Sequence, residues 1–266
     1  MTDTSAYSPA SPRRLLGLTA AIMLNMVFGS LYAWSVFIAG LEHDLGIMRT
    51  DVSIVFSLAI VCFTLGNFLI PFLFGRVPTP ALPLFGLMSG AGGLALAAMG
   101  DGYLSVVIGY GVLFGLGCGL NYNVVLQSGL MALPRNPGLA NGLIISAFAA
   151  GGVIAAYLLE MSVAANGVKP TFWALALTIA ATGAIAVTLI ALSGIRLPRQ
   201  SMRRPASHDS STMQICWIGF FLGALAGVMS IGHAAAIITH FGGTAAAAVA
   251  GVTLLSVGNA VGRLAS

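Results

Sequence analysis

The sequence predicts an all-α, polytopic membrane protein, and three observations carry that prediction. Only 18 of its 266 residues are Lys, Arg, Asp or Glu, whereas a soluble domain averages about a quarter. The apolar residues gather into eight runs, and mean hydropathy is +0.97. A hydrocarbon core of about 30 Å needs about 20 apolar residues as helix, and each run meets that length. The charges fall between the runs and alternate in sign bias along the chain. Backbone amides in lipid must pair within their own segment, so the runs read as helices. A soluble domain is excluded, because too little polar surface would be left to face water.

The runs lie near 15–41, 52–74, 78–100, 103–133, 138–159, 170–195, 213–239 and 244–266. Arg13 and Arg14 precede the first. Arg76 follows the second, Arg135 the fourth, and Arg196, Arg199, Arg203 and Arg204 the sixth, while Arg263 closes the eighth. The alternate loops hold only Arg49 and Lys169 but collect Glu42, Asp44, Asp51, Asp101 and Glu160. Basic residues stay on the cytoplasmic side, so the N-terminus is cytoplasmic and an even number of spans returns the chain there. The expected location is the inner (plasma) membrane. The net charge of +4 is this topology signal. No basic, aromatic-interleaved patch points to nucleic acid.

Individual runs add detail. The first is too long for the apolar part of a cleaved signal peptide, so it is a span. Asp101-Gly102 joins the third and fourth so tightly that those helices must be antiparallel neighbours. In the fourth, Gly111, Gly115 and Gly119 recur at four-residue spacing and make one smooth stripe for close helix packing. A nucleotide loop would need a preceding strand and a Lys-Ser/Thr pair, and neither is present. Gly90, Gly92, Gly93, Gly151 and Gly152 suit the same packing role. Cys62, Cys118 and Cys216 lie inside apolar runs with no CxxC pair and read as packing residues.

Residues 196–213 form the one long polar break, rich in Pro, Ser and Arg, and read as a flexible cytoplasmic linker. It divides the chain into a six-helix bundle over 1–195 and two further helices over 214–266. Six spans, a basic linker and more spans is the layout of a major facilitator transporter, in which two six-helix halves surround a central site. On that layout the second half stops after two helices at Leu264-Ala265-Ser266. The chain therefore reads as part of a longer protein, inactive by itself; the alternative is a complete eight-span protein.

Polar groups at membrane depth are costly and are site candidates by default. Asn25, Tyr32 and Trp34 lie in the first run, and Asn121, Tyr122, Asn123 and Gln127 in the fourth. His233 lies in the seventh, and Asn259 and Arg263 in the eighth. Each has two readings. Tyr32 and Trp34 suit a cavity wall or an interfacial aromatic belt. The four polar groups of the fourth run suit a wet cavity or interhelical hydrogen bonds. His233 suits either role. Arg263 is a substrate partner or a cation snorkelling from a helix end.

Gly29-Ser-Leu-Tyr-Ala-Trp-Ser-Val-Phe37 resembles the first span of the oxalate:formate antiporter family, in the monocarboxylate-porter branch of the major facilitators. Tyr110-Gly-Val-Leu-Phe-Gly-Leu-Gly-Cys-Gly-Leu-Asn-Tyr122, Pro137-Gly-Leu-Ala140, Gly227-Val-Met-Ser-Ile-Gly-His-Ala-Ala-Ala236 and Gly258-Asn-Ala-Val-Gly-Arg263 are similar to that family too. The resemblance implies a major facilitator fold with an N-terminal six-helix bundle and the first two helices of the C-terminal one. It implies a monomeric parent of twelve helices that carries a small organic anion by alternating access. It also implies that Arg263 pairs with the substrate carboxylate, for which a planar, permanently charged guanidinium is suited.

Two positions depart from the pattern. The loop Gly75-Arg-Val-Pro-Thr-Pro80 keeps only Arg76 of its usual charges, and Asn259 stands where proton-coupled members carry Asp. Asn259 cannot carry a proton, so exchange is expected rather than proton cotransport. The resulting site comprises Arg263, Tyr32, Trp34, Asn121, Tyr122, Gln127, His233 and Asn259, with no metal or cofactor. Two other functions are alternatives. One is a facilitator exporting neutral or cationic compounds. The other is an intramembrane serine protease using Ser128 and His233, which would need glycine where the chain has Leu126.

Overall fold

The computed structural model describes residues 12–198 and 210–244, together with 247, 250, 251, 253–255, 257, 258 and 262. Six helical spans are long and apolar enough to cross a membrane among these residues. The first comprises α1 (Pro12–Phe28), a 3-10 stretch (Gly29–Phe37) and α2 (Ile38–Leu45). The second is α3 (Arg49–Leu69) with a short 3-10 end, Ile70–Leu73. The third is α4 (Leu82–Met99), entered through the 3-10 turn Thr79–Ala81. The fourth comprises α5 (Tyr103–Val106), a π-helical stretch (Val107–Phe114) and α6 (Gly115–Ala132). The fifth is α7 (Pro137–Asn166) and the sixth α8 (Val168–Ser193). A further helix, α9 (Ser210–His240), covers the seventh apolar run and begins inside the polar break. In the eighth run the described residues from 247 onward are helical, while Asn259 and Arg263 lie outside the described residues.

Local chemistry explains the ends. Asp51 Oδ2 accepts from the Met48 amide at 3.2 Å, placing an acid at the positive end of α3. Pro137 occupies the first turn of α7, where its missing N–H costs nothing. Gly167 alone separates α7 from α8 and adopts φ +84°, a conformation side-chain-bearing residues avoid.

Alternate loops gather at the same end of the bundle, as antiparallel spans require. At one end Lys169 pairs with Asp101 at 2.6 Å and Arg49 with Glu42 at 3.3 Å, and Tyr103 donates its hydroxyl to the Asp51 carbonyl at 2.8 Å. The hydrogen bond and charge of Lys169 hold the Asp101 carboxyl below its ordinary value. The pair is solvent-exposed and adds little stability. At the other end the Leu197 amide donates to Thr79 Oγ1 at 2.9 Å, tying the exit of span six to the loop between spans two and three. Leu197 is buried, so the first residues of the polar break are docked on the bundle.

Glycine sets the packing. Added methyl groups on Gly111, Gly115 and Gly119 would press on Val55, Ala59 and Phe63, a matching four-residue stripe on span two. Gly109 and Gly117 turn instead toward span three, against Gly93, Gly86 and Gly90. Gly151 lies on the Met26 carbonyl, and Gly29 on the Phe148 carbonyl, joining spans one and five. Gly92 is a correction to the sequence expectation: a Cβ added there would meet nothing within 4 Å outside its own helix, so among the described residues it packs against no neighbouring span. Cys62 and Cys118 are buried, but Cys216 is exposed on α9. Most described side chains of α9 are exposed, including Trp217 and Phe220, and Ala234 is buried.

These contacts generate a matched comparison. Gly119→Ala and Gly151→Ala force a methyl group against a backbone carbonyl that cannot rotate away, and each should lower stability by about 1–3 kcal/mol. Gly92→Ala should be neutral or slightly stabilising, because its surroundings are open and alanine favours helix. Thermal unfolding in detergent reads the difference, and equal melting of all three variants would contradict this packing.

Candidate functional site

Four aromatic residues from four spans meet in one cluster. Tyr32 of span one meets Phe148 of span five edge-on, with ring centroids 5.1 Å apart. Tyr122 of span four meets the same Phe148 edge-on at 5.6 Å. Phe63 of span two closes the group, 5.3 Å from Tyr122 and 6.1 Å from Phe148. Edge-on contacts place the positive ring edge on the negative face of its neighbour. Phe148 is buried, while Tyr32, Phe63 and Tyr122 remain half-buried. Gly152 favours the arrangement: a Cβ there would lie 3.1 Å from both the Gly29 carbonyl oxygen and Tyr32 Cβ, so its absence lets span five close on span one. The surface so formed is apolar in body and carries two phenolic groups able to donate or accept hydrogen bonds.

The other predicted residues divide. Trp34 lies two residues beyond Tyr32 but belongs to a different cluster. It is buried against Tyr110 at 4.3 Å, with Phe37 beside it and Phe172 tilted against Phe37 at 4.6 Å. Asn121 is also buried, pressed on Gly86 of span three, and neither atom of its amide has a protein partner. Neither residue reaches an open surface in this conformation. Asn123 Nδ2 donates to Asn67 Oδ1 at 2.7 Å and to the Asn67 carbonyl at 3.3 Å, a polar tie between spans four and two. Asn25 Nδ2 donates to the Ile144 carbonyl at 2.6 Å, tying spans one and five. Gln127 is half-buried on α6. His233 falls on α9, with its side chain outside the described residues, as are Asn259 and Arg263.

Sequence reading found Tyr32 and Tyr122 but missed Phe63 and Phe148. A phenylalanine in an apolar run carries no polar signal, and only the tertiary fold shows which ones converge. Ser128 is fully buried, and its hydroxyl donates to the Val124 carbonyl at 2.7 Å. That ordinary intrahelical bond leaves no exposed nucleophile there.

No protein-family model matches the chain. It is 26% identical over 281 residues to YhjX of Escherichia coli (strain K12), described as an uncharacterized MFS-type transporter. The alignment takes in 94% of this chain and 64% of YhjX. Among solved structures, the tetrameric PepTSo2 crystal structure superposes with a TM-score of 0.56 at 13% identity, covering 82% of this chain and 49% of that one. The fold is a major facilitator fold. The six apolar spans make the chain a multi-pass membrane protein, and it spans about two thirds or less of the proteins it matches.

The polar ties predict a stability effect without an opening of the site. Asn25→Leu removes one buried interhelical bond and should cost about 0.6–1.7 kcal/mol. Denaturant titration in detergent measures it, and an unchanged midpoint would show that the bond contributes nothing.

Proposed function

We propose that the protein is a secondary active transporter of small organic anions, mono- or dicarboxylates, working by alternating access and exchange. The major facilitator fold and the likeness to an MFS-type transporter support transport. The observation that carries the site is the cluster of Tyr32, Phe63, Tyr122 and Phe148, half open and drawn from four spans. Its phenols and rings shape and hydrogen-bond a small ligand. The anion's countercharge comes from Arg263, with Gln127, His233 and Asn259 as further cavity groups and Trp34 and Asn121 as buried supports. Among the described residues the acids lie at or toward the span ends, as Glu42, Asp44, Asp51, Asp101 and Glu160 do, so none stands mid-membrane to relay a proton. Exchange fits that distribution better than proton cotransport.

The same reading assigns residues 1–195 to the N-terminal bundle, 196–213 to a cytoplasmic linker and 214–266 to the second bundle of a monomeric protein in the inner membrane. A second reading keeps transport but changes the cargo. Rings without a described neighbouring charge also suit a neutral or cationic compound. Uptake into proteoliposomes separates the two. Labelled carboxylate should enter only against internal carboxylate. Uptake of a neutral or cationic compound that excess carboxylate does not reduce would favour the second reading.

Two outcomes test the details. In a cysteine-free background, His43→Cys, Asp101→Cys and Asn166→Cys should react with an impermeant maleimide added to intact cells, and Arg203→Cys should not. Labelling at position 203 would reverse the orientation. In the whole protein Arg263→Lys keeps the charge but loses the forked donor geometry. Losing one charge-assisted hydrogen bond costs roughly 1.5–3 kcal/mol, or about tenfold to a hundredfold in affinity. Transport with wild-type affinity in both Arg263→Lys and Arg263→Gln, at normal protein level, would remove the arginine from the site.

A further inference from the structure

Spans one, five and six enclose a cleft that the transport reading does not use. It has a volume of about 400 Å³, with Met23 and Met26 on one wall, Gly151 and Ala155 on the second, and Ala174 and Thr178 on the third. We propose that this cleft binds one acyl chain of a bilayer phospholipid.

Depth is the first argument. The lining runs from Gly151 to Ser162 on span five and from Ala174 to Thr182 on span six. Ala174 is six residues inside the Val168 end of α8, and Thr182 is eleven residues short of the Ser193 end. At 1.5 Å per residue those margins are about 9 and 16 Å, which puts the cleft well within the spanning length.

Chemistry is the second. No charged residue lines the cleft. Its hydroxyls are mostly committed elsewhere: Thr178 donates to the Ala174 carbonyl at 2.8 Å, Thr182 to the Thr178 carbonyl at 2.6 Å, and Ser162 shares a hydrogen bond with Thr171 at 2.8 Å. Water entering would find few partners, and an empty cleft would forfeit dispersion contacts along its walls. The rim continues into Ile154, Leu158 and Leu177, each more than half exposed, so the cleft opens onto an apolar outer surface. Methionine walls adapt to a flexible chain.

Size separates a lipid tail from a helix. The cleft follows span five for about 16 Å and span six for about 12 Å. Spans one, five and six remain packed on one another along the cleft, and packed helix axes lie only about 8–10 Å apart, so a further helix about 10 Å across cannot lie between them. A helix from a second copy, or from another part of this chain, could rest on the rim but could not fill the cleft. An acyl chain is thin enough to enter.

The test uses the full chain in liposomes carrying a trace of phosphatidylcholine with a diazirine midway along one acyl chain. After irradiation, labelled residues are mapped by mass spectrometry. Labelling at Met23, Met26 and Ala174 should exceed, several-fold, that at Val61 and Phe68, which are exposed on span two. Ala174→Trp and Ala155→Trp should each abolish the excess at Met26 and leave Val61 unchanged, with both variants eluting as the native protein does. The excess in the unmodified chain is decisive even if neither variant folds. Equal labelling of Met26 and Val61 overturns the proposal, as does labelling that survives both substitutions. Cross-links from Leu158 to another helix, with no lipid label at Met26, would assign the cleft to protein instead.

Discussion

Hydrocarbon offers helices no hydrophobic gain for meeting one another, so this bundle depends on how closely its backbones approach. The stripe of Gly111, Gly115 and Gly119 against Val55, Ala59 and Phe63 is the main contact of that kind. Every apolar residue removed from lipid here was already in an apolar medium. What packing gains is dispersion, and dispersion falls steeply with distance. Glycine removes the side chain that would hold two helices apart. The opposite edge of the same span uses Gly109 and Gly117 on span three, so span four is gripped from two sides. The aromatic cluster inherits its position from this grip, because Tyr122 and Phe63 belong to the two helices the stripe locks together.

The same close packing accommodates two irregular stretches. Span one is 3-10 over Gly29–Phe37, and span four is π-helical over Val107–Phe114. Both change the spacing of the backbone hydrogen bonds at a depth where water cannot satisfy an orphaned group. Tyr110, inside the π-helical stretch, donates its hydroxyl to the Leu31 carbonyl of the 3-10 stretch at 3.3 Å. That bond ties the two irregular segments together. Trp34 and Phe37 close around Tyr110, which explains why Trp34 faces inward while Tyr32 reaches the open cluster. A regular α-helix turns 100° per residue; the tighter 3-10 turn changes which neighbours share a face.

Much of the fold was legible because the bilayer imposes a run length and close helix packing imposes a residue spacing. Run length located the six described spans, the tight Asp101-Gly102 loop gave the antiparallel pairing of spans three and four, and four-residue spacing gave the glycine stripe; these signals have a limit. They could not separate Gly92 from Gly90 and Gly93, since packing direction within an all-round apolar helix has no polar face to reveal it. The candidate site was half legible. Tyr32 and Tyr122 stood out by polarity, but the polarity of Asn25 and Asn123 serves interhelical bonds, and that of Asn121 is buried against Gly86. Polar residues at membrane depth therefore mark either ligands or ties, and composition cannot tell one from the other.

That distinction bears on electrostatics. Within the described spans the polar side chains near the aromatic cluster are neutral, and the paired charges Asp101–Lys169 and Glu42–Arg49 hold the loops at one end. An anion entering between such helices would lose its hydration without gaining an opposite charge from them. Phenols and ring edges offset part of that loss, but a carboxylate in low dielectric needs a cation or several donors. The bundle of spans one to six can shape and orient a ligand, yet it is electrostatically incomplete as an anion site. On the proposed anion reading, completion comes from a cation on a helix outside these six. In the proposed transporter that task is assigned to Arg263, in the eighth apolar run, so the proposal of an anionic rather than a neutral cargo stands or falls with it.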